Sequence, residues 1–203
     1  MMFFVDILLF SNYKTDDLVE FSLQDFKGYY ENYRNKIEIK GGICLDIQVI
    51  EKEDINVVGI CWNGTYSQMG TIPSLFRNME QRLDEVSYQT DEPVLIAPFH
   101  SRETELTYYV TKPVEKISQI PAGMVGFTIP SKNYVFTTYK GSLDGVENTY
   151  LQMFSWMQEY GYEQDHHALS LEIYKEKYKL QNANGDLHFE IYLPVKAYKK
   201  NNQ

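Results

Sequence analysis

Residues 168–178, Ala-Leu-Ser-Leu-Glu-Ile-Tyr-Lys-Glu-Lys-Tyr, read as one β-strand. Side chains on a strand alternate between faces, so Leu169, Leu171 and Ile173 share one face while Ser170, Glu172, Tyr174, Glu176 and Tyr178 share the other. The aliphatic face suits a core. The opposite face sets Glu172 among aromatic and hydroxyl side chains, where a charge withdrawn from water needs a partner. Strands of this pattern commonly turn the polar face to solvent, so a binding role for Glu172 has to be supported by the rest of the chain.

The chain has 203 residues, 43% hydrophobic and 15% aromatic, enough for one well-packed domain or for two small halves sharing a core. Lys and Arg number 19 against 28 Asp and Glu, a net charge of −9. That sign argues against direct binding of nucleic acid and favours a cationic ligand or a basic protein surface. Cys44 and Cys61 are too few and too far apart for a zinc knuckle or a CxxC pair, and His100, His166, His167 and His188 lack ligand spacing. No metal and no cofactor are expected. The apolar start, Met-Met-Phe-Phe-Val-Asp-Ile-Leu-Leu-Phe, lacks a basic n-region and a cleavage site, and Asp6 interrupts it. The expectation is a cytoplasmic protein without a membrane contact.

Residues 1–42 read as a helical N-terminal appendage, with Leu18, Phe21, Phe26, Tyr29, Tyr30 and Tyr33 at loosely helical spacing before the Gly41-Gly42 break. It is too short and too acidic for a complete DNA-reading helix-turn-helix, and its tyrosines suit packing on the main domain, a protein partner or a homodimer interface. Residues 43–51 and 56–62 then read as strands, residues 71–86 as an amphipathic helix with Ile72, Leu75, Phe76, Met79, Leu83 and Val86 on one stripe, and residues 93–99 and 105–114 as two strands. The order recurs: a strand at 132–139, a helix at 144–160 opened by an Asp144/Glu147 capping box, and strands at 168–178 and 187–195 joined through Asn184-Gly185.

The two halves align residue by residue. Gly64 falls 77 positions before Gly141, while Leu106, Val110, Pro113 and Val114 fall 81 before Leu187, Ile191, Pro194 and Val195. The predicted fold is α+β: tandem strand-helix-strand-strand (SHS2-like) modules, about 43–116 and 120–197, with pseudo-two-fold symmetry and a central groove. If the aliphatic strand faces pack on the helices, the groove receives Thr107, Tyr109 and Thr111 from the first half and Glu172, Tyr174, His188, Glu190 and Tyr192 from the second. Glu172 is the leading ligand-binding candidate, Tyr109 and Tyr192 are stacking walls, Tyr174 neighbours the carboxylate, and Trp62 stands at the groove mouth beside Asn63-Gly64.

Leu171-Glu172-Ile173-Tyr174, followed by Glu190-Ile191-Tyr192-Leu193-Pro194-Val195, resembles the C-terminal signature of the gyrase-inhibitor-like (GyrI-like), or AraC-type, effector-binding domains. Ile120-Pro121-Ala122-Gly123-Met124, the strand from Tyr134 to Gly141 and the helix holding Trp156 are similar to its middle portion. The resemblance implies a groove for amphipathic, often cationic or aromatic small molecules, with Glu172 matching the family's key glutamate. It further implies a stand-alone effector-binding protein in transcriptional regulation or drug and toxin sensing. The same family resemblance leaves two alternatives: a hydrolase of reactive small molecules using the groove glutamate, and a protein-interaction module of the gyrase-antagonist type.

Overall fold

Among the described residues eight strands form one antiparallel sheet, and two α-helices cover one of its faces. The strands are β1 (Gln48–Lys52), β2 (Ile55–Thr65), β3 (Val94–Ser101), β4 (Glu105–Pro113), β5 (Val125–Ile129), β6 (Lys132–Gly141), β7 (Ser170–Lys175) and β8 (Leu187–Pro194); the helices are α1 (Ile72–Gln81) and α2 (Val146–Glu159). The sheet order is β1-β6-β8-β7-β3-β4-β2-β5. The structure, a computed structural model, describes residues 45–92, 94–175 and 186–196. The appendage expected over residues 1–42, the Asn184-Gly185 turn and the strand end at 176–178 lie outside the described residues.

The register carries a pseudo-two-fold relation. Val57 pairs with Pro113 and Tyr134 with Pro194. The Val114 N–H donates to the Asn56 carbonyl and the Val195 N–H to the Asn133 carbonyl, both at 2.9 Å. The bridges Gln89–Val114 and Gln164–Val195 repeat the relation once more. The opening strand of each half is exchanged: β1 pairs with β6 and β5 with β2. Only Glu53 and Asp54 join β1 to β2, although the two stand at nearly opposite ends of the sheet order. So short a link forces the sheet to curl.

Each face of the curled sheet has its own core. On the helix side, Phe76 and Met79 of α1 and Tyr150, Met153 and Met157 of α2 pack on Phe99, Val110, Phe189 and Ile191. Inside the curl, Val57, Ile96, Ile129, Tyr134, Leu171, Ile173 and Tyr192 form a second cluster. Two apolar faces explain why strand alternation misassigned β7: its aliphatic Leu171 and Ile173 point into the curl, and Glu172 and Tyr174 face the helices. Hydrophobicity marks a buried face but not what covers it.

Local departures have local causes. Helix α1 stops at Gln81 and continues as a 3₁₀ turn, Leu83–Glu85. Asp144 lies within a 3₁₀ turn, Leu143–Gly145, so α2 begins at Val146 and makes no side-chain cap bond. Strand β5 is unforeseen, because five residues with a glycine at the second position, on a sheet edge, give little periodicity. Among the described residues no helix is long and apolar enough to cross a membrane.

Gly59 leaves no room for a side chain between β2 and β4: an added Cβ would meet the Val110 carbonyl oxygen at 2.1 Å. Gly59→Ala is expected to destabilise the fold by roughly 3 kcal/mol, read from the shift in urea midpoint at unchanged m-value.

Candidate functional site

Glu172 lies at the centre of the sheet, paired across β3–β7 with Ala97. The two strands hold successive side chains on opposite faces, so Glu172 and Tyr174 point to the helix side with Ala97 and Phe99. Three phenol hydroxyls donate to the carboxylate. Tyr108 of β4 reaches Oε2 at 2.5 Å, Tyr150 of α2 reaches Oε1 at 2.7 Å, and Tyr174 of β7 reaches Oε2 at 2.9 Å. Tyr108 and Tyr150 are 5% and 2% exposed, while Glu172 and Tyr174 keep partial solvent access. Glu172 thus stands on the helix side of the sheet, enclosed by three rings and not wholly closed off from water.

The pseudo-symmetry explains how the rings come together. Phe76 and Tyr150 occupy the same place on α1 and α2; Phe99 and Tyr174 match on β3 and β7; Tyr108 and Phe189 match on β4 and β8. Phe99 stacks on Tyr108 at 5.9 Å, and Tyr174 stacks on Phe189 at 5.0 Å, the same contact in each half. Phe76 closes edge-on against Tyr174 at 4.8 Å. Each matched pair holds one phenylalanine and one tyrosine. Three pairs thus supply three hydroxyls, all aimed at one carboxylate that stands where the first half has Ala97.

The electrostatics follow from burial. Burial pushes the Glu172 pKa above its ordinary value, and the three phenol hydrogen bonds act against that rise. Tyr108, Tyr150 and Tyr174 are pushed well above the ordinary tyrosine value, first by burial and then by the Glu172 charge, so they stay protonated donors. No ion pair reaches Glu172 among the described residues. Phenol donors satisfy its lone pairs without cancelling its charge.

The sequence-derived site residues divide between the two faces. Glu172 and Tyr174 stand together, and Trp62, opposite Tyr108 in the β2–β4 register, shares their face at the edge of the helix-side core. Tyr109 and Tyr192 do not join them. Tyr109 lies on the other side of β4 against Phe127, with ring centroids 5.0 Å apart. Tyr192 lies inside the curl and donates to Glu190 at 2.7 Å. Thr107, Thr111, Glu190 and Tyr192 are thereby separated from Glu172 by the thickness of the sheet. Tyr108 and Tyr150 are absent from the sequence-derived set because each alternates or recurs with apolar residues, Leu106 and Val110 for the first and Val146 and Met153 for the second; aligning ring positions between the halves is the signal that finds them.

The family model of the GyrI-like small molecule binding domain matches residues 45–196. The chain belongs to this family. Solved structures show the same fold at low identity. The GyrI-like chain is similar to SAV2435 bound to tetraphenylphosphonium, at 15% identity and a TM-score of 0.57, over 75% of this chain and 94% of that one. It is similar to the C-terminal domain of EcmrR at 15% identity and 0.62, over 77% and 100%. It also resembles a putative bacterial transcription regulation protein from Staphylococcus aureus MU50 at 14% and 0.53, over 75% and 99%. A search of curated protein sequences gave no match.

Linkage gives a test of the carboxylate's setting. A Glu172 pKa raised in the folded state means that the folded protein holds this proton more tightly than the unfolded chain. The contribution to stability is present below the ordinary value of 4.5 and is lost as the pH rises through the folded value. Unfolding free energies of wild type and Glu172→Gln, compared by urea titration across pH, should show wild type losing stability relative to the variant over that window. A constant difference would mean that Glu172 titrates as an ordinary carboxyl.

Proposed function

We propose that this GyrI-like domain binds an amphipathic organic cation, with Glu172 as the counter-charge and the rings around it as walls. One observation carries the reading: a densely surrounded carboxylate with three hydrogen-bond donors and no ion-pair partner among the described residues. A cationic ligand supplies the charge that the protein withholds. Aromatic faces add about 0.5–2 kcal/mol for each cation contact, and the rings of Tyr174, Phe76 and Phe189, packed on one another in the free protein, supply such faces to a ligand that separates them. A flat or propeller-shaped aromatic cation fits these walls better than a hydrated ammonium.

In this reading the domain serves as a ligand-sensing element in transcriptional regulation or in drug and toxin sensing, acting in the cytoplasm. The likeness to a regulator's C-terminal domain and to a tetraphenylphosphonium-bound protein supports it at the level of fold. Tyr150 ties the site to α2, and the Tyr174–Phe76 contact ties it to α1. A ligand inserted between these rings has to displace one helix or both, which gives occupancy a means of reaching the protein surface.

Tetraphenylphosphonium, titrated by calorimetry, tests the proposal. Glu172→Gln is expected to weaken it about tenfold or more, while tetraphenylmethane derivatives of matched shape and no charge lose little. Affinity for the cation should also fall as the pH drops through the raised Glu172 pKa, because protonation removes the counter-charge, and the Gln variant should show no such slope. Equal losses for charged and neutral ligands would remove the carboxylate from recognition.

A further inference from the structure

The inside of the curl holds a separate hollow of about 1060 Å³, on the face opposite Glu172. Ile50, Val94, Ile96 and Ile173 give it an apolar lining. Its charges sort by depth. Glu51, Glu53, Asp54, Glu92 and Glu115 are exposed at the rim, where water and salt screen them. Farther in stand Lys52 and Lys175, both partly buried, and Glu190, 9% exposed.

The inner carboxylate is already satisfied. Glu190 accepts a hydrogen bond from the Tyr192 hydroxyl at 2.7 Å and is ion-paired with Lys175. Lys52 has no ion pair among the described residues; its Nζ rests 4.6 Å from the centroid of the Tyr192 ring. Burial lowers the Lys52 pKa, against the opposing pull of Glu190 and Glu92. Below the rim there are therefore two ammonium groups beside one carboxylate, and among the described residues Lys52 has a ring face and the longer-range pull of Glu190 and Glu92 but no ion pair. This is the reverse of the helix side, where the deep charge is a carboxylate lacking a cation.

We propose that this hollow is a second ligand site, taking an amphipathic organic monoanion whose carboxylate or sulfonate head is received by Lys52 and whose apolar part lies over Ile96 and Ile173. Its volume of about 1060 Å³ lies just above the usual range of small-molecule pockets, about 300–1,000 Å³. Residues of β7 contribute to both sites, Glu172 to one face and Ile173 and Lys175 to the other. The two sites have opposite charge preference and share no ligand-contacting residue.

The test is calorimetric titration of the full chain with decanoate, with decanol as the uncharged control. Decanoate is expected to bind saturably and more tightly than decanol. Lys52→Met should weaken it about tenfold or more, Lys52→Arg should retain it, and Glu172→Gln should leave it unchanged. Circular dichroism of each variant confirms the fold. Equal decanoate affinity in wild type and Lys52→Met, loss in Glu172→Gln instead, or no saturable binding overturns the proposal. Phosphonium binding is read separately, so failure here leaves the helix-side site standing.

Discussion

The arrangement depends on one partly buried carboxylate whose side-chain hydrogen-bond donors, among the described residues, are three phenol hydroxyls. Moving an ionised carboxylate toward a low-dielectric interior is costly, and three phenol donors offset part of that cost by saturating its oxygens at 2.5–2.9 Å. They leave its negative charge intact. An internal lysine or arginine would have made a stable ion pair and a closed site. The pair formed by Lys175 and Glu190 on the other face is that alternative within the same molecule.

Duplication supplies the geometry, and departures from symmetry supply the chemistry. A pseudo-two-fold relation brings two helices, two central strands and three pairs of rings to one place. Identical halves would have set two carboxylates directly across β3–β7 from each other, and like charges at opposed positions destabilise a sheet. Ala97 opposite Glu172 removes that conflict. The Phe/Tyr division within each ring pair then delivers one hydroxyl per pair, enough to bind a single carboxylate.

Much of the fold was legible because its signals are local or periodic. Both helices announce themselves through stripes such as Phe76–Met79 and Tyr150–Met153, and the matched Pro113 and Pro194 fix the ends of equivalent strands. Glu172 could be singled out as a charge within a strand that had an apolar side. The choice of face could not. Both sides of β7 are apolar enough to be buried, and only the pairing with β3 and β8 shows that Glu172 looks toward the helices. Tyr109 and Tyr192 were grouped with it for the same reason, while Tyr108 and Tyr150 sit at apolar-patterned positions and belong to the core as well as to the site. The exchange of β1 and β5 is a long-range pairing that no local pattern encodes.

Carbon-13 NMR of glutamate side-chain carboxyls, titrated with pH in the absence and presence of tetraphenylphosphonium, tests the central claim most directly. The account predicts one carboxyl resonance, assigned to Glu172 by its loss on substitution, that titrates above the ordinary value of 4.5 in the free protein and moves down when the cation binds. A Glu172 resonance that titrates at the ordinary value and does not respond to the cation would contradict it.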